Sequence, residues 1–476
     1  MNYMMLLLIV LPILIGIINM FIKKEAKRNR FILFGLLINL IVAIIVCFSG
    51  DLSLVLYKFT DTLYLGLKTD FIARLFILLI NFIFMMAMIY SFEYMKKEHN
   101  VGRFFMFFNL TLSALNILSL SDNLFTMYMA YEMMTILSFP LVLHEGTEDA
   151  IKAGMKYLGY SVFGAGLGLL GIFFISRYAS TLSFNLGGIL DLSKVSGNEN
   201  LLYTIYLLMM IGFGGKAGMF PLHNWLPTAH PIAPSGASAV LSGLITKAGV
   251  LAIIRTTFYV FGVDFLRGSF AQTVLLILAI FTIFMGSMLA YKEKILKKRL
   301  AYSTISQVSY VLFAIFVFSE VSFKGAILQV VYHALAKDIL FLCAGAIIYN
   351  TGIKRTDELK AIGKKMPYTM ILFTLASLSL VGIPPLGGFI SKWYIAIGAT
   401  NMTIGIVGIA VLMISALLTA GYTLGISIDA FIVGRDFDYK KHKTKDVSKT
   451  MLIPMSLLCV VLLVVSLYPS LLNVLR

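Results

Sequence analysis

Charge is scarce in this sequence. Of its 476 residues only 13% are Asp, Glu, Lys or Arg, about half the roughly 25% usual in soluble domains. A chain so poor in charge lacks the residues to coat a soluble surface of its own. Cysteine is scarcer still. Cys47, Cys343 and Cys459 lie far apart in apolar segments, and no C-x-x-C occurs. That pattern argues against an iron–sulfur cluster or structural zinc and leaves the three as small core residues. No Walker-type phosphate loop is present, so no nucleotide site is expected. The expectation is a chain with no metal or cofactor and no catalytic residue. Acids are outnumbered, 23 against 39 Lys plus Arg, for a formal net charge of +16. That excess reads as charge on cytoplasmic loops, with no nucleic-acid partner.

Apolar residues fill the rest: 59% of the chain, with a mean hydropathy of +0.91. The sequence reads as an all-α polytopic membrane protein. About fourteen transmembrane helices are expected, near 4–22, 31–49, 71–92, 103–121, 123–143, 151–176, 201–226, 233–260, 270–290, 300–318, 323–349, 369–398, 402–432 and 451–472. The first lacks a preceding basic region and a small-residue cleavage site, so it reads as a retained helix. Loop charge supports the alternation. The loops 23–30, 93–103, 144–156, 291–299, 350–368 and 433–450 hold 26 Lys and Arg, and the opposite side holds 7. The first set is expected to be cytoplasmic, which puts both termini outward.

Six basic residues fall within or near spans: Arg74, Lys216, Lys247, Arg255, Lys337 and Lys392. A charge at the bilayer centre costs about 2.5–3.5 kcal/mol on insertion scales, so these imply a compensating polar interior. Asp70, Glu93, Asp122 and Asp429 sit near helix ends, as caps or snorkelling groups. Glu132 does not. It lies mid-helix in LFTMYMAYEMMTILSFPLVL, and Lys216 is its expected partner. Such a pair is a switch, because moving or protonating the carboxylate lets the lysine release its proton.

Around Lys216 the chain reads IGFGGKAGMFPLHNWLPTAHPIAPSGASAVLSGLITKAGVLAIIR. Pro221 and Pro227 break the seventh helix just after Lys216, beside His223 and His230, and Pro231 and Pro234 precede the eighth, which carries Lys247. Proline removes a backbone donor, and carbonyls freed inside a membrane need protein or water partners. A hydrated interior is expected there. The twelfth helix, ASLSLVGIPPLGGFISKWYI, is broken at Pro384 and Pro385 with Lys392 beyond. Helices seven and twelve are an odd number apart, so they run in opposite directions, as an inverted repeat would. Between them lie a polar line in the tenth helix (Ser303, Thr304, Ser306, Gln307, Ser309) and His333 with Lys337, four apart on one face of the eleventh. The hydroxyls could hold water or join helices. Asp338 cannot share the face of Lys337 and is expected to meet a different element.

The long run through Lys216 and Lys247, with H-A-x-x-K at His333–Lys337, resembles the antiporter-like membrane subunits. These occur in respiratory complex I, energy-converting membrane-bound hydrogenases and Mrp-type cation/proton antiporters. The resemblance implies two inverted five-helix repeats: helices 1–3 at 1–102, the repeats at 103–260 and 261–432, and a C-terminal loop and helix at 433–476. It implies a proton relay, with or without coupling to sodium, through Glu132, Lys216, His223, His230, Lys247, His333, Lys337 and Lys392. Lys216 and His223 would serve the cytoplasmic half-channel, Lys247 the middle and Lys392 the outward exit. Related subunits often have histidine where this chain has Gln307, and glutamine cannot titrate. The implied partners are other membrane subunits of a hetero-oligomeric complex, protons and sodium ions. The first reading is an ion-pumping subunit of a redox-driven, hydrogenase- or complex I-related complex. The alternatives are the D-type subunit of an Mrp sodium/proton antiporter and, from other classes, a non-conducting scaffold or a stand-alone solute transporter.

Overall fold

A computed structural model describes residues 2–60, 63–432 and 445–475. Each segment expected to span is helical. The helices are α1 Met4–Ile18, α2 Glu25–Phe48, α3 Phe71–Tyr94, α4 Val101–Leu120, α5 Leu124–Val142, α6 Glu148–Tyr178, a short α7 Leu192–Val195, α8 Glu199–Ala217, α9 Leu226–Ile232 and α10 Ser235–Val240. After them come α11 Thr246–Ile254, a short α12 Val263–Leu266, α13 Phe270–Lys292, α14 Leu296–Phe316, α15 Glu320–Thr351, α16 Pro367–Val381, α17 Gly387–Ala399, α18 Thr403–Phe431 and α19 Lys449–Leu467. Leu241–Ile245 and Arg255–Phe261 are π-helical, so Ser235–Phe261 runs as one helix. Among the described residues, ten helices are long and apolar enough to cross a membrane. Helices α5, α8 and α14, which carry Glu132, Lys216 and the polar line, are not among the ten, because those polar groups dilute their apolar character.

Helix starts follow local chemistry. Asp70, Asn123, Thr147 and Ser269 each accept a hydrogen bond from the backbone N–H three residues on, satisfying an orphan donor of the first turn. The two broken helices end alike. Gly218 (φ 94°) closes α8 and Gly382 (φ 90°) closes α16, both left-handed, and each is followed three residues later by a proline. An L-residue with a side chain is disfavoured at such a φ, which is why glycine stands at both ends.

The loops sort to two ends as the charge pattern predicts. At the basic end Lys96 meets Glu25 at 4.0 Å, Lys97 donates to the Tyr349 carbonyl, Arg103 to the His144 carbonyl and Asn350 to the Lys445 carbonyl. At the other end Arg74 pairs with Asp51 at 2.7 Å and donates to the Leu475 carbonyl, while Arg267 donates to the Phe318 carbonyl. A hairpin of β1 Ser53–Lys58 and β2 Tyr64–Lys68, with Ser53 opposite Lys68, lies at this second end; it was not among the elements expected. Most of the charged loop 433–450 lies outside the described residues.

Two helices form the centre. All of the apolar window of Ser235–Phe261 and 94% of that of Glu320–Thr351 are buried, against 28% for Thr403–Phe431. A helix buried all round faces protein rather than lipid, so ionisable groups on these two are enclosed.

Two expectations need correction. Lys297 was counted as loop charge, yet it is 4% exposed on the first turn of α14 and donates to the Ala233 carbonyl at 2.9 Å. The loop 144–156 is mostly helix, since α6 begins at Glu148; Lys156 sits on it and reaches the Thr228 hydroxyl at 3.2 Å. The run Gly166–Gly171 spells a G-x-G-x-x-G, but it lies inside α6 with no strand before it and is no phosphate loop. Glycines along this stretch set how closely α6 meets α8. A Cβ on Gly164 would come within 2.5 Å of the Gly212 carbonyl oxygen. Gly164→Ala should therefore lower the thermal midpoint of the purified complex, overpacking costing about 1–3 kcal/mol. Gly166→Ala, with nothing within 4 Å of the added carbon, should leave the midpoint unchanged.

Candidate functional site

The close α6–α8 approach builds a seat for Lys216. Its Nζ donates to the hydroxyls of Thr135 on α5 (2.9 Å), Tyr157 (3.1 Å) and Ser161 (2.8 Å) on α6. It also lies 4.5 Å from the Tyr157 ring centroid. Three neutral oxygens and an aromatic face thus hold a buried ammonium. Ser138 bonds Tyr157 in turn at 2.6 Å, fixing the phenol.

Glu132 is not in that seat. It is half-buried rather than buried, and it accepts a hydrogen bond from the Tyr128 hydroxyl at 3.4 Å. Its charge acts on Lys216 through space. The expected pair is an electrostatic neighbour without contact, because the i+3 residue Thr135 points its hydroxyl at Lys216 first.

The break after Lys216 is closed by protein. Trp225 donates its indole N–H to the Gly215 carbonyl at 2.8 Å, and Phe220 N–H bonds the Thr282 hydroxyl. His223 stands half-buried in the break against the Phe220 ring. His230 is fully buried further along, with both ring nitrogens unpartnered among the described residues and its ring stacked 4.7 Å from Phe341. The field of Lys297, Lys337 and Lys247 converges on it.

Lys247 turns back along its helix and donates to the Ser242 carbonyl at 2.7 Å. Ser242 in turn shares a 2.7 Å hydrogen bond with Thr304 of α14. Lys337 donates to the Leu300 carbonyl at 2.9 Å and to the Ser303 hydroxyl. His333 is buried one turn earlier, both nitrogens unpartnered among the described residues. The polar line of α14 is therefore both seat and glue. Ser303 and Thr304 face the lysine helices, and Ser306 joins Ser287 and Ser415. Gln307 accepts from Gln329 at 3.0 Å and donates to Thr419 at 3.4 Å, and Gln329 accepts from Ser391 at 2.5 Å. That amide chain runs from beside Lys392 towards α18.

Lys392 does not snorkel. It is 8% exposed and donates to the Leu380 and Val381 carbonyls at 2.7 and 2.6 Å, the carbonyls left open at the end of α16. The two breaks are thus closed differently, by Trp225 in one and by a lysine in the other. Lys216 precedes its break and Lys392 follows its own.

A family model described as "NADH:quinone oxidoreductase/Mrp antiporter, TM" matches residues 121–419, more than half of the chain. The chain belongs to this family. A second model, "NADH-Ubiquinone oxidoreductase (complex I), chain 5 N-terminus", matches residues 60–105. Among the relatives of this antiporter family, the D-type Na(+)/H(+) antiporter subunit of Alkalihalophilus pseudofirmus is 31% identical over 90% of this chain and 87% of its own. The N-type NADH-quinone oxidoreductase subunit of Desulforudis audaxviator is 30% identical over 89% of this chain and 87% of its own. Hydrogenase-4 component B of Escherichia coli is 30% identical over 87% of this chain, which spans 63% of that relative. In fold, the chain matches the Mrp complex from Dietzia sp. with a TM-score of 0.85 at 20% identity, over 100% of this chain and 96% of the other. It matches an archaeal membrane-bound sulfane sulfur reductase with the same TM-score and identity.

Sequence reasoning missed several groups that the antiporter-family fold gathers. Thr135, Tyr157 and Ser161 look like ordinary helix residues, and only the α5–α6–α8 packing turns them on Lys216. Lys297 hides in the basic run KEKILKKR. Arg255 and Asp70, noted separately, form a two-point ion pair between the Ser235–Phe261 helix and the cap of α3. His144 is buried in the loop after α5, 5.6 Å from the His99 ring. Burial and the adjacent Arg103 hold its imidazole down at about 4, so it is neutral at physiological pH.

Proposed function

We propose that this chain is the ion-translocating subunit of a multisubunit membrane complex, moving protons through its line of buried ionisable residues. The observation that carries the reading is the way four buried lysines are seated. Each rests on hydroxyls or carbonyls, with no carboxylate in contact among the described residues. A lysine held by neutral acceptors can lose its proton without breaking an ion pair, which a relay requires and a scaffold does not. In this reading Lys216 and His223 serve one half-channel. His230, Lys247, His333 and Lys337 form the middle, and Lys392 the exit. The two broken helices belong to inverted repeats at 103–260 and 261–432. The basic end faces the cytoplasm of a prokaryotic cell and both termini face outward. The chain itself carries no cofactor.

Two parent complexes fit. One is a redox-driven complex related to hydrogenases or complex I, where oxidoreductase chemistry resides on partner subunits. The other is an Mrp-type sodium/proton antiporter; the chain covers 87% of the D-type antiporter relative and 87% of the N-type oxidoreductase relative alike. Subunits that co-purify with the chain separate them: iron–sulfur proteins in the first case, small membrane subunits in the second. Translocation itself is tested with Lys216→Ala in the complex reconstituted into sealed vesicles. Proton flux should fall to background with assembly intact, and wild-type flux would refute the reading.

A further inference from the structure

Among the described residues, the relay leaves a fully buried acid without a task. Asp338 follows Lys337 on α15, is 0% exposed, and neither of its carboxyl oxygens has a hydrogen-bond partner among the described residues. Three other acids near the spans are tied down. Asp70 binds Arg255 and a helix cap, Asp122 accepts from Tyr64 at 2.8 Å, and Glu93 accepts from Lys96 at 2.9 Å.

The position of Asp338 is set by a notch in the facing helix. A Cβ on Gly243, within the π-helical turn Leu241–Ile245, would overlap Asp338 Oδ2 and lie 2.7 Å from its Cγ. The carboxyl fills space that any residue larger than glycine would occupy. Lys247 lies four residues on and folds its Nζ back to the Ser242 carbonyl, the residue before Gly243. Lysine and carboxyl therefore converge on one turn. Each acts on the other electrostatically, and Asp338 is the acid whose charge bears on Lys247. Yet Lys247 does not bond it, since both carboxyl oxygens are unpartnered.

We infer that Asp338 carries protons in the central relay, exchanging one with Lys247 across the notch at Gly243. This rests on the translocation reading above. In the step, an N–H bond of the Lys247 ammonium breaks and an O–H bond forms on Asp338. A positive and a negative group become two neutral ones, so net charge is conserved. Two buried charges held apart do not recover their desolvation cost, and the neutral pair is the accessible alternative. Transfer needs rotation of Lys247 off the Ser242 carbonyl or one bridging water. A purely structural pair would close into contact, as Arg255 and Asp70 do with two hydrogen bonds. Among the described residues no three His, Cys, Asp or Glu side chains gather to hold a metal, so Asp338 has no ligand set for a resident cation.

The test uses the whole complex in sealed vesicles, with Lys216→Ala as reference. Asp338→Asn keeps the shape that fits the notch but cannot take up a proton. Flux per assembled complex should fall about tenfold or more. The infrared difference spectrum between two pH values should lose a protonated-carboxyl band. If that variant fails to assemble, Lys247→Met removes the proton partner and leaves the carboxyl, and the same band should then shift or disappear. Wild-type flux in Asp338→Asn, or an unaltered band in either variant, overturns the assignment, as does a lowered thermal midpoint with normal flux per complex. If Lys216→Ala also pumps normally, the translocation reading has failed instead.

Discussion

Lys392→Met should stop net proton translocation while still allowing proton uptake from the basic end as far as Lys247. Methionine keeps the apolar stem and deletes the charge and its donors. In the wild-type chain those donors reach the Leu380 and Val381 carbonyls at the break between α16 and α17. Two consequences follow and are separable. Losing the charge removes a carrier, which acts on flux. Losing the donors leaves buried carbonyls unsatisfied, at a cost of about 1–3 kcal/mol each, which acts on stability. Flux must therefore be read per assembled complex, beside a thermal midpoint. Lys392→Arg separates the two further, since arginine restores donors but holds its proton at any working pH. It should rescue the midpoint and leave flux abolished. Wild-type rate and stoichiometry for Lys392→Met across a pH range would remove Lys392 from the exit, without touching Lys216.

Glu132→Gln should abolish coupled translocation and leave assembly intact. Glutamine preserves an acceptor for the Tyr128 hydroxyl, so local structure should hold. What it deletes is the negative charge that acts on Lys216 from outside the hydroxyl seat. An effect transmitted without contact suits a switch, since the carboxylate can be screened or protonated with no bond to break. The measurement is proton flux in sealed vesicles against the amount of assembled complex. Full pumping by the variant would leave Glu132 with no part in the mechanism.

Much of this site was legible in the chain because a membrane makes charge conspicuous. Lys216, Lys247, His333, Lys337 and Lys392 stand out among apolar neighbours at a cost that structure alone does not justify. The breaks were legible for the same reason: Pro221 and Pro385 cannot continue a helix. The sequence alone determined the helical class, the broken segments, the sorting of basic loops to one end and the candidate carriers. These depend on residue type and local spacing, which tertiary packing does not alter. Only the tertiary structure decided what each carrier touches. The hydroxyl seat of Lys216 draws on α5, α6 and α8, and the α6–α8 part depends on a glycine approach that no local pattern announces. Glu132 was expected as the electrostatic partner of Lys216, and only the packing shows that it acts from outside the hydroxyl seat. Lys297 was counted with the loops and is buried. Asp338 had no assigned place until Gly243 of a different helix was seen to make room for it. Contacts of this kind join residues about 80 to 100 positions apart, and their geometry follows from how whole helices pack, not from any stretch of sequence.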